Sequence, residues 1–115
     1  MATLEDVRRA CLALPEAEER ETWGHPTFRV RGKMFAAAGG EPGEESASFK
    51  ADPEERAALL AEGEPWFVPA YVGRYGWLGV RLVADVDPDE LAELLTTSWR
   101  LTAPKRVVAR FDAAG

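Results

Sequence analysis

The chain has 115 residues, of which 46% are hydrophobic and 30% are charged, so wholesale disorder is excluded and one core of ordinary size is expected. Twenty acidic residues against fourteen lysines and arginines give a formal charge of −6, which opposes non-specific attraction to nucleic acid or anionic membranes. Any anionic partner must therefore meet a local positive patch.

Cys11 is the single cysteine of the chain, which excludes an internal disulfide. The first residues carry acidic side chains and no apolar run of the length that a signal peptide or a membrane-spanning helix needs. We therefore expect one domain covering residues 1–115, no contact with membranes and a cytoplasmic location.

The N-terminal segment has the pattern of a capped helix. Thr3 is a favoured helix cap, and Asp6 stands where a capping box places its second acceptor. The apolar residues that follow recur at helical spacing: Leu4, Val7, Cys11 and Leu14. Pro15 is expected to end this helix, and the charged run 16–21 is expected to form a solvated connection.

Residues 24–38 predict a β-hairpin around which the other elements are arranged. Thr27, Arg29 and Arg31 alternate with Phe28 and Val30, which places apolar groups on one face of a strand and cations on the other. Gly32 interrupts the alternation at a position where a turn needs positive φ. The return strand is expected over residues 33–38.

Further elements follow in the central part of the chain. Residues 46–51 predict a third strand anchored by Phe49, and Asp52-Pro53 has the cap and first-turn proline of a helix that Gly63 ends. Residues 64–76 contain two prolines and two glycines between aromatic residues, so an irregular loop is expected.

The last third of the chain predicts one strand and two helices. The strand is expected from Trp77 to Ala84 because apolar residues alternate there. Asp87-Pro88 repeats the cap-and-proline start, and a second helix is expected to begin after Pro104. The resulting α-β-β-β-α-β-α order, with its final helix pair, predicts a two-layer α+β sandwich in which helices pack on one side of an antiparallel sheet.

Four stretches in this order resemble the MmcQ/YjbR family of small bacterial proteins. They are H-P-T-F-R-V-R-G-K-M-F-A (25–36), F-K-A-D-P-E-E (49–55), G-W-L-G-V-R-L (76–82) and S-W-R-L-T-A-P-K-R (98–106). The resemblance implies an antiparallel sheet with helices on one side and a double-wing shape associated with DNA binding. It implies no catalytic residue set.

Seven cations are candidates for contacts to nucleic-acid phosphates, since affinity for a phosphate backbone needs several cations that reach successive phosphates. Three lie on the predicted hairpin, and four more could join them if the last strand and the last helix flank it: Arg29, Arg31, Lys33, Arg74, Arg81, Lys105 and Arg106. The alternative is that these cations are only the solvated face of an amphipathic sheet.

A second hypothesis is an aromatic groove that accepts a protein segment or a small anionic ligand. Its candidate lining residues are Trp23, His25, Trp66, Tyr71, Tyr75 and Trp77. Three of the tryptophans, at positions 66, 77 and 99, are equally candidates for the core.

An enzyme is the weakest hypothesis, because the only histidine, His25, has no nucleophile or carboxylate partner that the sequence identifies. One cysteine and one histidine do not suffice for a zinc site, and the acidic residues lack the spacing of a calcium loop. The glycine-rich loop 39–43 lacks the Lys-Ser/Thr ending of a phosphate loop. We therefore expect no cofactor, no metal and no catalytic residues.

Overall fold

The computed structural model describes residues 2–83 and 86–114. In this part of the chain a sheet of six strands is covered by helices. The helices are α1 (Leu4–Leu12), α2 (Pro53–Glu62), α3 (Pro88–Thr102) and α4 (Lys105–Ala114). The strands are β1 (Ala17–Thr22), β2 (His25–Val30), β3 (Lys33–Gly39), β4 (Ser46–Lys50), β5 (Trp66–Phe67) and β6 (Trp77–Arg81). A short 3₁₀ turn, Val72–Tyr75, precedes β6.

The helix boundaries follow from local chemistry that the sequence shows. At α1 the Thr3 hydroxyl accepts a hydrogen bond from the Asp6 N–H, while the Asp6 carboxylate accepts one from the Thr3 N–H, which completes the predicted capping box. Asp52 caps α2 by accepting from the Glu55 N–H, and Gly63 follows its end. These three predicted boundaries are confirmed.

Two tight hairpins join the first three strands. The β2–β3 turn is Arg31-Gly32 and the β1–β2 turn is Trp23-Gly24, and all four residues have positive φ. Two-residue turns of this kind suit the right-handed twist of the adjoining strands, and glycine at the second position lowers their cost. The predicted hairpin of residues 24–38 is therefore confirmed, and a second hairpin precedes it.

The strand order is β1-β2-β3-β4-β6-β5, with antiparallel pairing throughout. A row of directly paired residues crosses the four central strands: Phe28, Ala36, Phe49 and Leu78. Each of these is at most 1% exposed. Since one face of four neighbouring strands is fully apolar at this row, the helices must cover that face.

The core lies between this face of the sheet and the helices α1 and α3. Apolar residues of α3 that the spacing predicts to face inward are buried: Leu91, Leu94, Leu95 and Trp99. Val7 and Cys11 of α1 pack into the same core. Trp99 also stacks edge-to-face on Phe111 of α4, with ring centroids 5.1 Å apart, and its indole N–H donates to the Pro15 carbonyl at 3.0 Å.

The α+β class predicted from the sequence is confirmed, but two strands, β1 and β5, were not predicted. Residues 16–21 were expected to form a solvated connection, but residues from Ala17 onward form the edge strand β1, which is hydrogen-bonded to β2. Charged side chains suit an edge strand because its outer edge faces water. Within the expected irregular loop, Trp66 and Phe67 pair with β6.

The predicted strand from Trp77 to Ala84 is shorter than expected. It ends at Arg81, and its last predicted residue, Ala84, lies outside the described residues. Among the described helices, none combines the length and the apolar character that crossing a membrane requires.

We predict that replacing Trp99 by alanine destabilises the protein by about 3–5 kcal/mol, because it empties a fully buried volume and removes the bond to Pro15. Urea unfolding followed by circular dichroism measures this change. Leu101→Ala is the matched control on the same helix, since Leu101 is 53% exposed, and it should cost less than about 1 kcal/mol. Equal losses in the two variants would contradict this account of the core.

Candidate nucleic-acid interface

The strand register places different residue types at the two ends of the sheet. One end, called here the hairpin end, contains the Arg31-Gly32 turn, Lys33 at the start of β3, Lys50 at the end of β4 and Trp77 at the start of β6. The opposite end contains the Trp23-Gly24 turn, Gly39, Ser46 and Arg81.

Most of the predicted phosphate contacts lie toward the hairpin end. Arg31 is in the turn and Lys33 follows it, while Arg74 is in the 3₁₀ turn that leads into β6. Arg29 is the second-last residue of β2, where it pairs with Met34. Thus four of the seven predicted cations belong to chain segments that meet at this end.

Glu16 joins the hairpin to α4. The Arg31 guanidinium donates two hydrogen bonds to its carboxylate, and Arg110 approaches the same carboxylate at 3.5 Å. Arg31, Arg110 and Arg106 all lower the pKa of Glu16, with the hydrogen bond from Arg31 as the largest cause. Arg31 and Arg110 therefore contact the Glu16 carboxylate and Arg106 lies close enough to lower its pKa, while Glu18 lines the same surface pocket as Glu16 and Arg31. Three guanidiniums beside two carboxylates leave an excess of positive charge.

The fold of the connecting segment produces this arrangement. Glu16 has a positive φ of 59° and lies directly after Pro15, whose carbonyl is held by the Trp99 indole. Arg106 and Arg110 are one helical turn apart on α4, so their side chains extend on the same side of that helix. The cluster of Glu16, Arg31, Arg106 and Arg110 is called the Glu16 cluster below.

Arg29 is held by the hairpin itself. Its guanidinium donates to the Gly32 carbonyl at 3.3 Å and contacts the Thr22 hydroxyl at 3.5 Å, and the residue is half-buried. Its Nε is buried and has no hydrogen-bond partner among the described residues. Arg29 thus stabilises the turn that presents Arg31.

Arg81 lies apart from the other predicted cations. It ends β6 at the opposite end of the sheet, where its Nε donates to the Glu64 carboxylate at 3.0 Å and its guanidinium lies 5.0 Å from the centre of the Phe67 ring. The reason is the strand direction, since the five-residue strand β6 begins at the hairpin end and finishes at the opposite end. Lys105 is exposed at the first residue of α4, beside Arg106.

The structure does not bring the six predicted aromatic-groove residues together. Trp66 pairs with Val80 on the helix-covered face and is buried in the core. Trp23 is 93% exposed at the opposite end, whereas Tyr71 and Tyr75, 90% and 69% exposed, lie beside the hairpin end. Trp77 is buried without belonging to the main core cluster.

His25 lines a pocket on the face of the sheet that the helices leave uncovered. The pocket has a volume of about 250 Å³, and Ala37, Gly39, Ser46 and Ser48 form its floor. The His25 ring lies across Gly39, where an added Cβ would come within 2.4 Å of its Nδ1. Small residues on two neighbouring strands therefore create this pocket.

Two cations of the hairpin end, Arg110 and Lys50, were not predicted from the sequence as part of the interface. Arg110 was not assigned to the interface, although its spacing of four from Arg106 was the available signal. Lys50 was predicted only as part of a strand, because no local sequence pattern indicates that β4 ends beside β3 and β6.

Within residues 2–83 and 86–114, no group of three potential ligands from His, Cys, Asp and Glu could hold a metal ion.

A comparison with protein-family models matches residues 12–101 to the YjbR family. The chain belongs to the YjbR family. This agrees with the resemblance found in the sequence, because the matched region contains the hairpin, the F-K-A-D-P-E-E stretch and the last strand.

Relatives and solved structures extend this result. The chain is 30% identical to "Uncharacterized protein Rv2570" of Mycobacterium tuberculosis and to "Uncharacterized protein Mb2600" of Mycobacterium bovis, over 98% of each chain. Its fold matches Deinococcus radiodurans protein DR2400, a DUF419 domain, with a TM-score of 0.76 and 27% identity over 88% of this chain and 78% of that one. A protein from Pseudomonas syringae matches with a TM-score of 0.71 and 17% identity, over 89% and 99% of the two chains, and shows the fold alone.

We predict that the pKa of Glu16, measured by carbon-detected NMR titration of its carboxyl group, lies below the ordinary glutamate value. Arg31→Gln should raise that pKa further than Arg110→Gln, because only Arg31 donates hydrogen bonds to the carboxylate. As pH falls through the lowered pKa, the contribution of this pair to stability should be lost. An unshifted Glu16 in the unmodified protein would contradict the observed cluster.

Proposed function

We propose that this YjbR-family protein is a non-enzymatic, cytoplasmic protein that binds nucleic acid weakly through the hairpin end of its sheet. The observation that carries the proposal is the Glu16 cluster, in which guanidiniums from the β2–β3 turn and from α4 converge on one carboxylate. Arginine forks match phosphate oxygens in geometry, so a phosphate group can take the place of the Glu16 carboxylate.

Weak binding follows from the balance of charge. A net charge of −6 repels a polyanion at long range, while the local excess of cations attracts it within a screening length of about 10 Å at 0.1 M salt. Glu16 also competes with the phosphate for the same guanidiniums. Binding of this kind depends on the backbone of the nucleic acid and carries little sequence preference.

The surroundings of Cys11 and His25, two residue types that enzymes commonly use in catalysis, support the non-enzymatic assignment. Burial raises the pKa of the Cys11 thiol, so its thiolate is disfavoured as a nucleophile. His25 packs on the backbone of Gly39, and the described residues that line its pocket include no carboxylate that would orient its ring.

The first test is the salt dependence of binding to a labelled mixed-sequence duplex, followed by fluorescence anisotropy. If about three phosphates are neutralised, affinity should fall about 40-fold between 50 and 200 mM salt. Arg31→Gln combined with Arg106→Gln should reduce both the affinity and this slope. Arg81→Gln, at the opposite end of the sheet, is the matched control; a flat salt response, or an equal effect of the control, would contradict the proposal.

The second test removes the competing carboxylate. Glu16→Gln should increase affinity about five-fold, because it leaves three guanidiniums without their carboxylate partner while keeping the size of the side chain. The same titration measures it, and Glu64→Gln, beside Arg81, should leave affinity unchanged. Weaker binding by Glu16→Gln would show that the carboxylate positions the arginines and does not compete for them.

A second candidate function is the binding of a small anionic ligand in the His25 pocket, where the Ser46 and Ser48 side chains add hydroxyl donors. Gly39→Ala should abolish such binding, since its methyl group would displace the His25 ring. A panel of small carboxylates and phosphate esters, screened by NMR shifts of His25 and Ser48, tests this candidate. Ligands that bind the Gly39→Ala variant equally well would rule out the pocket.

A further inference from the structure

Resting on the proposed function, we infer that the nucleic acid preferred by the hairpin end is single-stranded, with one unpaired base stacked on Tyr75. The strand would run from the β2–β3 turn across the ends of β4 and β6 to the 3₁₀ turn Val72–Tyr75.

Cations occur at successive strands along this path. Lys33 begins β3, Lys50 ends the neighbouring β4, and Arg74 precedes β6, which pairs with β4 through Trp77 and Lys50. Neighbouring strands lie about 4.8 Å apart, so the backbone path from β3 to β6 is about 10 Å. A strand stacked as in duplex DNA rises about 3.4 Å per nucleotide and an extended single strand rises more, so that distance corresponds to at most about three nucleotides.

The acidic residue that follows this row has its own partner. Asp52, two residues after Lys50, accepts a hydrogen bond from the Glu55 N–H as the cap of α2. Lys33, Lys50 and Arg74 form no ion pair among the described residues. These three cations are therefore available to phosphates.

The path ends at an exposed aromatic ring. Tyr75 is 69% exposed, and the Arg74 guanidinium lies 5.0 Å from the centre of its ring. A tyrosine ring beside an arginine suits the stacking of an unpaired base, because both groups interact with the face of a heteroaromatic ring. Bases inside a duplex already stack on each other and leave no face for such a ring.

The turn that presents Tyr75 is held in place by α2. The Arg56 guanidinium donates to the Gly73 carbonyl at 3.2 Å and to the Trp77 carbonyl at 3.0 Å, which fixes the residues on either side of Tyr75. Gly73 is itself buried, and an added Cβ there would meet the Val68 side chain at 2.4 Å. The ring is therefore presented by an ordered segment, which lowers the entropic cost of binding.

The test compares a labelled 12-nucleotide oligothymidylate with a labelled duplex of mixed sequence, by anisotropy at 50 mM salt. We expect the unmodified protein to bind the single strand at least ten-fold more tightly. Tyr75→Ala should weaken single-strand binding about ten-fold and leave duplex binding within two-fold, whereas Tyr75→Phe should retain both. Trp23→Ala is the matched control, since Trp23 is an exposed ring at the opposite end of the sheet.

Lys50→Gln tests the middle of the path and should weaken single-strand binding about three-fold, with Arg81→Gln as its control. Equal affinity for the two nucleic acids, or unchanged single-strand binding by Tyr75→Ala, would overturn this inference and leave the proposed function standing. Absence of binding to either nucleic acid would overturn both. An equal loss caused by Trp23→Ala would overturn the assignment of the path to the hairpin end.

Discussion

The packing of Trp99 is the interaction on which the arrangement of this molecule depends. Its ring is fully buried, its N–H donates to the Pro15 carbonyl, and it forms an edge-to-face pair with Phe111. One side chain of α3 thereby fixes both the connection that follows α1 and the helix α4. Because Glu16 follows Pro15 and Arg110 precedes Phe111, the same contacts that close the core also assemble the Glu16 cluster.

Because the helices cover only one face of the sheet, the residues that stabilise the fold and the residues proposed to bind nucleic acid lie on different surfaces. The helix-covered face carries the apolar row from Phe28 to Leu78, so substitutions there act on folding. The uncovered face and the two ends carry the polar and exposed aromatic residues. The hairpin end holds the Glu16 cluster, Tyr75 and three cations without an ion pair among the described residues, Lys33, Lys50 and Arg74. The opposite end holds His25, its pocket and the Arg81 and Glu64 pair.

The excess of acidic residues is compatible with a local positive patch because several carboxylates lie elsewhere and have their own cation partners. Arg8 is bonded to Glu5 and Glu19, and Arg100 to Asp112, so these surface pairs hold opposite charges close together. What distinguishes the hairpin end is the ratio of guanidiniums to carboxylates around Glu16. Net charge is a property of the whole chain, while phosphate binding depends on groups within a screening length.

The sequence by itself determined the elements whose cause is local. The capping box at Thr3, the cap and proline at Asp52-Pro53, the inward stripe of α3 and the turn at Gly32 all depend on residues within a few positions of each other. These features, together with the family motifs, were sufficient for the fold class. The edge strand β1 was missed because its charged residues carry no apolar alternation, although Trp23-Gly24 has the form of a hairpin turn.

Only the tertiary structure decided which cations act together. Arg81 and Arg29 have the same residue type and a similar strand context, but strand direction sends Arg81 to the opposite end and to Glu64. The packing of α4 brings Arg110 to Glu16 and so adds it to the candidate interface. The register of β5 against β6 places Trp66 in the core and so excludes it from the candidate groove. Such neighbours are 14 to 94 residues apart along the chain, so their proximity follows from how the core closes and not from any local pattern.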